Sequence, residues 1–290
     1  MRLGAVIITM GNRPDELKAL LDSVARQDGA PVEVVVVGQG VKVTGLPEGV
    51  RTVDLPENLG IPGGRNVGIE AFGPGGTDVD ALLFLDDDGL LERTDTAELC
   101  RQVFAEDPSL GIVSFRIADP DTGETQRRHV PRLRASDPMR SSRVTTFLGG
   151  ANAVRTRVFE QVGALPGEFF YAHEETDLAW RALDAGWRID YRADMVLLHP
   201  TTAPSRHAVY HRMVARNRVW LARRNLPALL VPLYLGVWMA LTLLRKPSGP
   251  ALKAWFGGFK EGWTTPCGPR RPMKWRTVWR LTRLGRPPVI

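Results

Sequence analysis

The first forty residues constrain the fold more than any other part of the chain. Leu3 to Thr9 is an apolar run of strand length, and Pro14 then opens a stretch with Leu17, Leu20, Leu21 and Val24 at helical spacing. Val32-Glu33-Val34-Val35-Val36-Val37 follows, bounded by Pro31 and Gly38. Helical periodicity between two β-branched runs predicts strand, helix, strand. Strands that are apolar throughout, rather than alternating, need cover on both faces, so this βαβ unit predicts a parallel sheet between layers of helices. Sheets of this kind bind ligands at the carboxyl ends of their strands.

The same pattern continues. A short strand is expected near Val50–Leu55, a helix opening near Pro62, and a buried strand over Ala81–Leu85 that runs straight into Asp86-Asp87-Asp88. A helix follows from about Asp95 to Glu106, with Asp95 as N-cap and Glu98 three residues on. Further elements are a strand over Gly111–Ile117, a strand and helix over Phe147–Gly163, a helix over about Glu174–Ala185, and strands ending at His199. The polar, Arg-rich stretch 118–143 lacks periodicity and reads as a long loop over the sheet. With 290 residues there is chain for one to two domains. The expected division is an α/β catalytic body over 1–204 and a helical C-terminal region over 205–290.

Composition sets limits on class. Apolar residues at 43% and charged residues at 24% are globular values that exclude a disordered or collagen-like chain. Two cysteines, Cys100 and Cys267, are too few for a disulfide framework or a Cys-rich zinc site and suit a reducing compartment. The opening residues lack the long apolar core and small-residue cleavage site of a signal peptide, so a cytoplasmic protein is expected. The net charge of +6 conceals an asymmetry: Arg245–Ile290 carries eleven Lys/Arg against the single acid Glu261, while the remainder is net −4. A basic tail of this kind seeks an anionic partner, either nucleic acid or a membrane face.

Three groups of residues carry chemistry. Asp86-Asp87-Asp88 at a strand end is an oxygen-rich site suited to Mg²⁺ or Mn²⁺ holding a phosphate, although acidic turns after strands also occur without ligands. The run Asn58–Gly68 is a glycine-rich turn feeding a helix; it favours anions and carries Arg65, but it is neither a dinucleotide fingerprint nor a Walker loop. His173-Glu174-Glu175-Thr176-Asp177 opens a helix with three acids, which either complement the helix dipole or supply a general base. Asp177, four residues before Arg181, is the more structural of them. His199 matters only if its strand delivers it beside Asp88.

In order along the chain these motifs resemble the inverting family 2 glycosyltransferases of GT-A fold, especially the bacterial rhamnosyltransferase-like branch. The resemblance rests on Thr9-Met10-Gly11-Asn12-Arg13-Pro14, Asn58-x-Gly60-x-x-Gly63-Gly64-Arg65-Asn66-x-Gly68 and Leu83-Phe84-Leu85-Asp86-Asp87-Asp88. It continues through Phe147-Leu148-Gly149-Gly150-Ala151, His173–Leu178 with Arg181, His199, and Arg216-Asn217, and covers about residues 3–225. It implies a Rossmann-like, mostly parallel GT-A sheet with flanking helices and a nucleotide-diphosphate-sugar donor. Donor-binding positions would be Thr9, Asn12, Arg13, Gln39, Asn58, Gly60, Gly64, Arg65, Asn66, Asp86 and Asp87. Mn²⁺ or Mg²⁺ would sit at Asp88 and His199, with Glu175 as the catalytic base and Gly149, Gly150, Glu174 and Asp177 on the acceptor side. Two positions depart from the family. Glu175 stands where relatives carry Asp, and Val37-Gly38-Gln39-Gly40 stands where relatives carry an aspartate that reads the base, so that Gln39 is left to do so and UDP-, dTDP- and GDP-sugars stay open.

The resemblance therefore implies transfer of a hexosyl or deoxyhexosyl unit, with inversion, to a sugar, lipid-linked or small-molecule hydroxyl. Cell-envelope polysaccharide, glycolipid and glycosylated-metabolite synthesis all fit. Leu226–Leu244 is nineteen uncharged residues broken by Pro227, Pro232 and Gly236, and Trp255, Trp263, Trp275 and Trp279 lie among cations in the tail. This region predicts peripheral contact with the inner face of the cell membrane rather than a span. A buried closing helix or a homodimer contact is the alternative use of the same apolar run. In a competing view of the whole chain, the Trp-bearing basic tail binds nucleic acid or a membrane beside an inactive sugar-binding scaffold. The acidic body argues against a nucleic-acid enzyme.

Overall fold

The computed structural model describes residues 1–133, 137–200, 208–245 and 247–290. The expected boundary at 204/205, the start of the basic segment at His207 and the flanking Lys246 lie outside those residues. In chain order the elements are β1 (Leu3–Thr9), α1 (Pro14–Ala25), β2 (Glu33–Gly38), β3 (Arg51–Asp54), α2 (Gly60–Glu70), β4 (Ala81–Asp86) and β5 (Leu90–Leu91). Next come α3 (Thr96–Glu106), β6 (Leu110–Ala118), β7 (Ser142–Arg143), β8 (Ala151–Arg155), α4 (Thr156–Val162), α5 (Glu174–Ala185) and β9 (Arg188–Leu198). Four helices complete the chain: α6 (Ala208–Asn225), α7 (Leu230–Leu244), α8 (Gly249–Thr264) and α9 (Trp275–Arg283).

The strands form one sheet in the order β3-β2-β1-β4-β8-β6-β9-β5, with β7 also on β9. The half built from β3, β2, β1 and β4 is parallel, as the βαβ pattern requires. Beyond β4 the sheet is mixed: β8 runs antiparallel to both β4 and β6, while β6 and β9 are parallel. The period-2 geometry of a strand explains why the N-terminal runs are apolar at every position. In β1, Val6 enters one core layer while Leu3, Ala5 and Ile7 enter the other; in β4, Leu82 and Phe84 face opposite to Ala81, Leu83 and Leu85. Both faces are covered, so neither can be polar.

Local signals were met in unequal measure. α1 starts with Pro14 in its first turn, followed by Asp15 and Glu16, in keeping with a proline's fixed φ and the helix dipole. The capping box expected at α3 does not form, because the Asp95 carboxylate is taken by the Arg93 guanidinium two residues back. Gln27 from the end of α1 accepts the Ala97 N–H at 2.9 Å instead. The glycine-rich run is mostly helix: after a short turn at Asn58-Leu59, α2 begins at Gly60, two residues before the expected start, and Gly60, Gly64 and Gly68 form one of its faces. A Cβ at Gly64 would lie 2.1 Å from Gln39 Nε2 and one at Gly68 2.2 Å from Val6 Cγ1, so these glycines let the helix press against the sheet. Residues 118–143 join β6 to β7, with a helical turn at Arg127–His129.

The C-terminal helices share a core with the α/β body. Trp220, Leu221, Tyr234, Leu235, Met273, Val278 and Leu281 belong to the same buried apolar layer as Phe159, Leu178 and Tyr191. Asp177 pins the two parts together. It is completely buried, with one oxygen on Arg181 Nε at 2.8 Å and the other receiving Arg224 Nε at 2.9 Å and Asn225 Nδ2 at 2.7 Å. The expected pairing with Arg181 forms, and Asp177, expected on the acceptor side, spends its other oxygen on Arg224 and Asn225 in the α5–α6 contact.

Candidate active site

At the carboxyl ends of β1, β2 and β4 a cleft of about 460 Å³ opens, lined by Thr9, Asn12, Arg13, Gln39, Asn58, Gly60, the three aspartates and His199. Phe170 and Tyr171 form the opposite wall. Each side chain arrives by a simple route. Thr9 ends β1, Asp86 ends β4, and His199 is the first residue past β9, where its N–H bonds Ala118 O.

The three adjacent carboxylates avoid mutual repulsion because each has a different partner. Asp86 Oδ1 accepts from Arg65 Nη2 at 3.2 Å, Asp87 Oδ2 accepts from Thr9 Oγ1 at 2.7 Å, and Asp88 Oδ2 accepts from Arg13 Nη1 at 2.7 Å. Asp88 Oδ1 also lies 3.1 Å from His199 Nε2. Burial pushes the Asp87 carboxyl up, against the Thr9 bond and Arg13. For Asp88 burial acts in the same sense but is outweighed by the bond to His199 and by the charges of His199 and Arg13, so its pKa falls below the usual carboxylate value. His199 is the complement: burial lowers it, and the Asp88 bond and charge more than restore it.

Several expected donor contacts serve the scaffold. The Gln39 carboxamide is used on both sides, donating to Gly60 O at 2.7 Å and accepting Leu59 N–H at 3.0 Å. It thus holds the start of α2 rather than presenting a free edge. Asn66 exchanges two hydrogen bonds with the Leu165 backbone, away from the cleft. Gly64 lies beneath Gln39, and Asn58 closes the turn into α2 by accepting Gly60 N–H at 2.7 Å. Arg65 is buried under the cleft floor, bonded to Asp86 and 4.0 Å from Glu174 Oε1.

Glu174 and Glu175 stand beside that arginine in the first turn of α5. Burial raises both carboxyls above the usual range; their mutual charge adds to the rise at Glu174, and Arg65 opposes it in each. The glycines at 149 and 150 are required here. A Cβ on Gly149 would come within 2.3 Å of Glu175 Oε1, and one on Gly150 within 1.8 Å of Asp86 Oδ2. The backbone of these two residues is the partition between the aspartates and the glutamates.

The segment entering α5 is unusual. Phe170, Ala172 and His173 all have positive φ, a conformation that costs non-glycine residues energy and persists only when neighbours enforce it. The enforcement comes from α6. Asn217 Nδ2 donates to the carbonyls of Phe169, Tyr171 and Ala172 at 2.6–3.0 Å, and Arg216 Nη2 donates to Phe169 O at 3.0 Å. The Arg216-Asn217 pair therefore acts as a backbone clamp behind the cleft. Phe170, Tyr171 and His129 were not singled out from the sequence. The His129 ring lies 6.4 Å from that of His199, so the 118–143 loop reaches the aspartate end of the cleft. No one-dimensional signal marks any of the three, since a strained loop and a long connection bring them there.

Among the described residues no three His, Cys, Asp or Glu side chains make a ready metal cage. Asp88 and His199 nevertheless fit an ion that takes its remaining ligands from a diphosphate and water. His199 Nδ1 lies 2.8 Å from Pro200 O and Nε2 lies 3.1 Å from Asp88; carbonyl and carboxylate both only accept, so the ring donates from both nitrogens, and Nε2 would give up its proton to take an ion.

A mixed sheet with this strand order, helices on both faces and an acidic cleft at the strand ends is a GT-A glycosyltransferase fold. The chain belongs to glycosyl transferase family 2, whose sequence profile matches residues 5–163, more than half its length. No curated protein matches it. Among solved structures, S. aureus TarS 1–349 in complex with UDP-GlcNAc is similar at TM-score 0.60 and 14% identity, covering 90% of this chain and 80% of that one. A mannosyltransferase from Pyrobaculum calidifontis, in complex with GDP-Man and Mn²⁺, gives TM-score 0.55 and 18% identity, covering 98% and 73%. GalNAc-T7 with UDP, GalNAc and Mn²⁺ gives TM-score 0.62 and 12% identity, covering 81% and 49%. The chain spans about two fifths of the longer TarS chain it also matches.

Proposed function

We propose that the chain is an inverting glycosyltransferase that moves a sugar from a nucleotide-diphosphate-sugar to a hydroxyl acceptor, with Glu175 as general base. The observation that carries this is the juxtaposition, across the bare backbone of Gly149-Gly150, of the Asp86–Asp88 cluster with the Glu174–Glu175 pair. The aspartate side receives the donor and the glutamate side the acceptor. Two carboxyls whose burial raises their affinity for protons hold one between them, and Arg65 keeps the other ionised. Glu175 then removes the acceptor hydroxyl proton as that oxygen bonds the anomeric carbon. The bond from that carbon to the diphosphate oxygen breaks with its electron pair, giving a glycoside of opposite configuration and a nucleoside diphosphate. Asp88 and His199 would hold a divalent ion, which when bound supplies charge stabilisation to the departing diphosphate. Thr9 and Arg13 orient Asp87 and Asp88 for that task. Solved neighbours bind donors of the same class, with UDP or GDP and, in two cases, Mn²⁺. Gln39 is placed to set the position of the base indirectly, through the start of α2.

The C-terminal region completes this reading as a peripheral membrane contact. Among the described residues no helix is long and apolar enough to cross a membrane. Fifteen residues of α7 span about 22 Å, against a bilayer core of about 30 Å. Leu229 and Leu244 at its ends are 78% and 76% exposed, and Trp279 on α9 is 64% exposed beside Arg276, Arg280 and Arg283. Aromatic and aliphatic side chains next to cations suit the interface of an anionic leaflet.

The test is a donor screen with UDP-, dTDP- and GDP-sugars, each with Mn²⁺, Mg²⁺ or EDTA. The expected result is nucleoside diphosphate release from one donor, suppressed by EDTA. Absence of turnover with every donor, together with no thermal shift from any nucleoside diphosphate, would overturn the proposal.

A further inference from the structure

On the far side of the first turn of α5 from the cleft lies a second, more enclosed cavity of about 80 Å³, between α5, α6, α7 and the segment after α9. Its wall includes Arg218 and Arg286 with His173, Thr146, Tyr234 and Trp238. Neither guanidinium has an acid. Among the described residues no carboxylate oxygen lies within 4.0 Å of either, and the groups that act on them are Tyr234, Tyr210, Arg245 and each other. Arg218 is stacked 3.6 Å over the Trp238 ring and reaches Tyr234 Oη at 3.4 Å, while Arg286 makes no side-chain hydrogen bond among the described residues. Burial lowers the pKa of both.

Two further polar atoms at this cavity are shielded and unpartnered: Trp238 Nε1 and His173 Nε2. Their chemistry differs. The indole nitrogen can only donate. His173 bonds the Val214 backbone through its other ring nitrogen, and burial with Arg218 and Arg286 nearby keeps the ring neutral. A carbonyl only accepts, so the proton is on Nδ1 and Nε2 presents a lone pair. The cavity thus offers two guanidinium forks and an indole N–H as donors, threonine and tyrosine hydroxyls that donate or accept, and an imidazole nitrogen as a further acceptor.

We propose that this cavity is a binding site for a hydrogen phosphate group. Two like charges without a counter-ion in a poorly hydrated site are costly, and a bound oxyanion offsets both at once. Guanidinium forks match a tetrahedral oxyanion. His173 Nε2 and the hydroxyls can accept from a protonated oxygen, which phosphate carries near neutral pH and sulfate does not. A cavity that holds a water needs about 10–15 Å³ by the same measure, so 80 Å³ has room for one such group. The group is either a free phosphate or the terminal phosphoryl of a larger molecule entering beside the segment after α9. This inference is independent of the sugar-transfer proposal, since none of its residues touches the donor cleft.

The experiment is thermal unfolding and calorimetric titration of the full chain with inorganic phosphate, sulfate and glycerol 3-phosphate, at constant ionic strength in chloride. Phosphate is expected to bind saturably and to exceed sulfate. Binding should survive Arg13→Gln, which alters only the donor cleft, and should weaken by about 10- to 100-fold in Arg218→Met and Arg286→Met, the effect of losing a charge-assisted hydrogen bond. Arg286 lies past α9 and outside any helix or strand, so its variant reads out even if Arg218→Met folds poorly, and Arg286→Lys should retain part of the affinity. A response to glycerol 3-phosphate as well identifies a terminal phosphoryl group; phosphate alone identifies the free ion. No saturable phosphate response, an equal response to sulfate, or an unchanged response in both arginine variants would overturn the proposal.

Discussion

In the cleft at the strand ends, three consecutive aspartates each meet a cation: Arg65 on Asp86, Arg13 on Asp87 and Asp88, and His199 on Asp88. Across the first turn of α5, Arg218 and Arg286 meet no carboxylate among the described residues. One charged site is preorganised by its own side chains, with partners that a donor and its ion can replace. The other carries positive charge that the chain itself leaves uncompensated. The same residue type therefore has opposite energetic meaning in the two places. Removing a cation from the first should hurt the apo protein, and removing one from the second should not.

The largest expected effect concerns chemistry on the cleft side. Glu175→Gln keeps the shape of the side chain but cannot take a proton, so kcat should fall by about 10²–10⁴-fold, the usual contribution of a positioned base. Nucleoside diphosphate affinity should stay the same, because Glu175 lies behind Gly149 and not on the donor wall. Steady-state kinetics and calorimetry on the same preparation check both halves. Turnover within threefold of the parent would remove Glu175 from its role.

Next in size is Arg65→Met. It strips the buried partner from Asp86, Glu174 and Glu175 together, and should cost about 3–5 kcal/mol of stability, the penalty of leaving buried acids unpaired. Urea denaturation measures it. A loss below about 1 kcal/mol would mean that Arg65 is not the charge that holds this group of acids together.

How much of this was legible in the sequence depends on the distance over which each feature is determined. The βαβ start, the position of α5 and the aspartates at the end of β4 follow from periodicity and composition within a dozen residues. Cleft membership of Thr9, Arg13, Asp86 to Asp88 and His199 follows from the rule that chemistry sits at strand ends. Gln39 and Asn66 look like ligands in one dimension, but their partners lie 20 to 99 residues away and are backbone, and Asp177 adds to its neighbour Arg181 two side chains 47 and 48 residues on. A polar side chain that satisfies distant carbonyls has no local signature. The cavity was invisible for the same reason: His173, Arg218, Trp238 and Arg286 come from four separate segments, and an unpaired arginine is recognised only once every acid has a position.

A smaller effect separates Glu174 from its neighbour. Its carboxyl is raised from 4.5 to about 8 by burial first and by Glu175 second. Because the folded pKa is above the unfolded one, the folded state keeps a proton that the unfolded chain releases as pH rises. Stability should then decline from about pH 4.5 to about pH 8 and level off above. Glu174→Gln carries no such proton, so its melting temperature should decline less across that interval. Parallel Tm–pH curves for parent and variant would show that the pair does not share a proton in the way the cleft requires.

The smallest effect is the sharpest test of the contrast between the two sites. Arg218→Met in phosphate-free buffer removes a guanidinium that has no acid, keeps an apolar side chain against Trp238, and loses only a long bond to Tyr234. It also relieves the repulsion from Arg286 and Arg245. The variant should be no less stable than the parent, and more stable by about 1 kcal/mol. Saturating phosphate should reverse the order, because a ligand that binds only the folded parent stabilises it by mass action and leaves the variant unmoved. The sign therefore changes with phosphate for Arg218→Met but stays negative in all buffers for Arg65→Met. Should Arg218→Met lose stability without phosphate by as much as Arg65→Met, the two arginines would be equivalent structural cations and the cavity would need no guest.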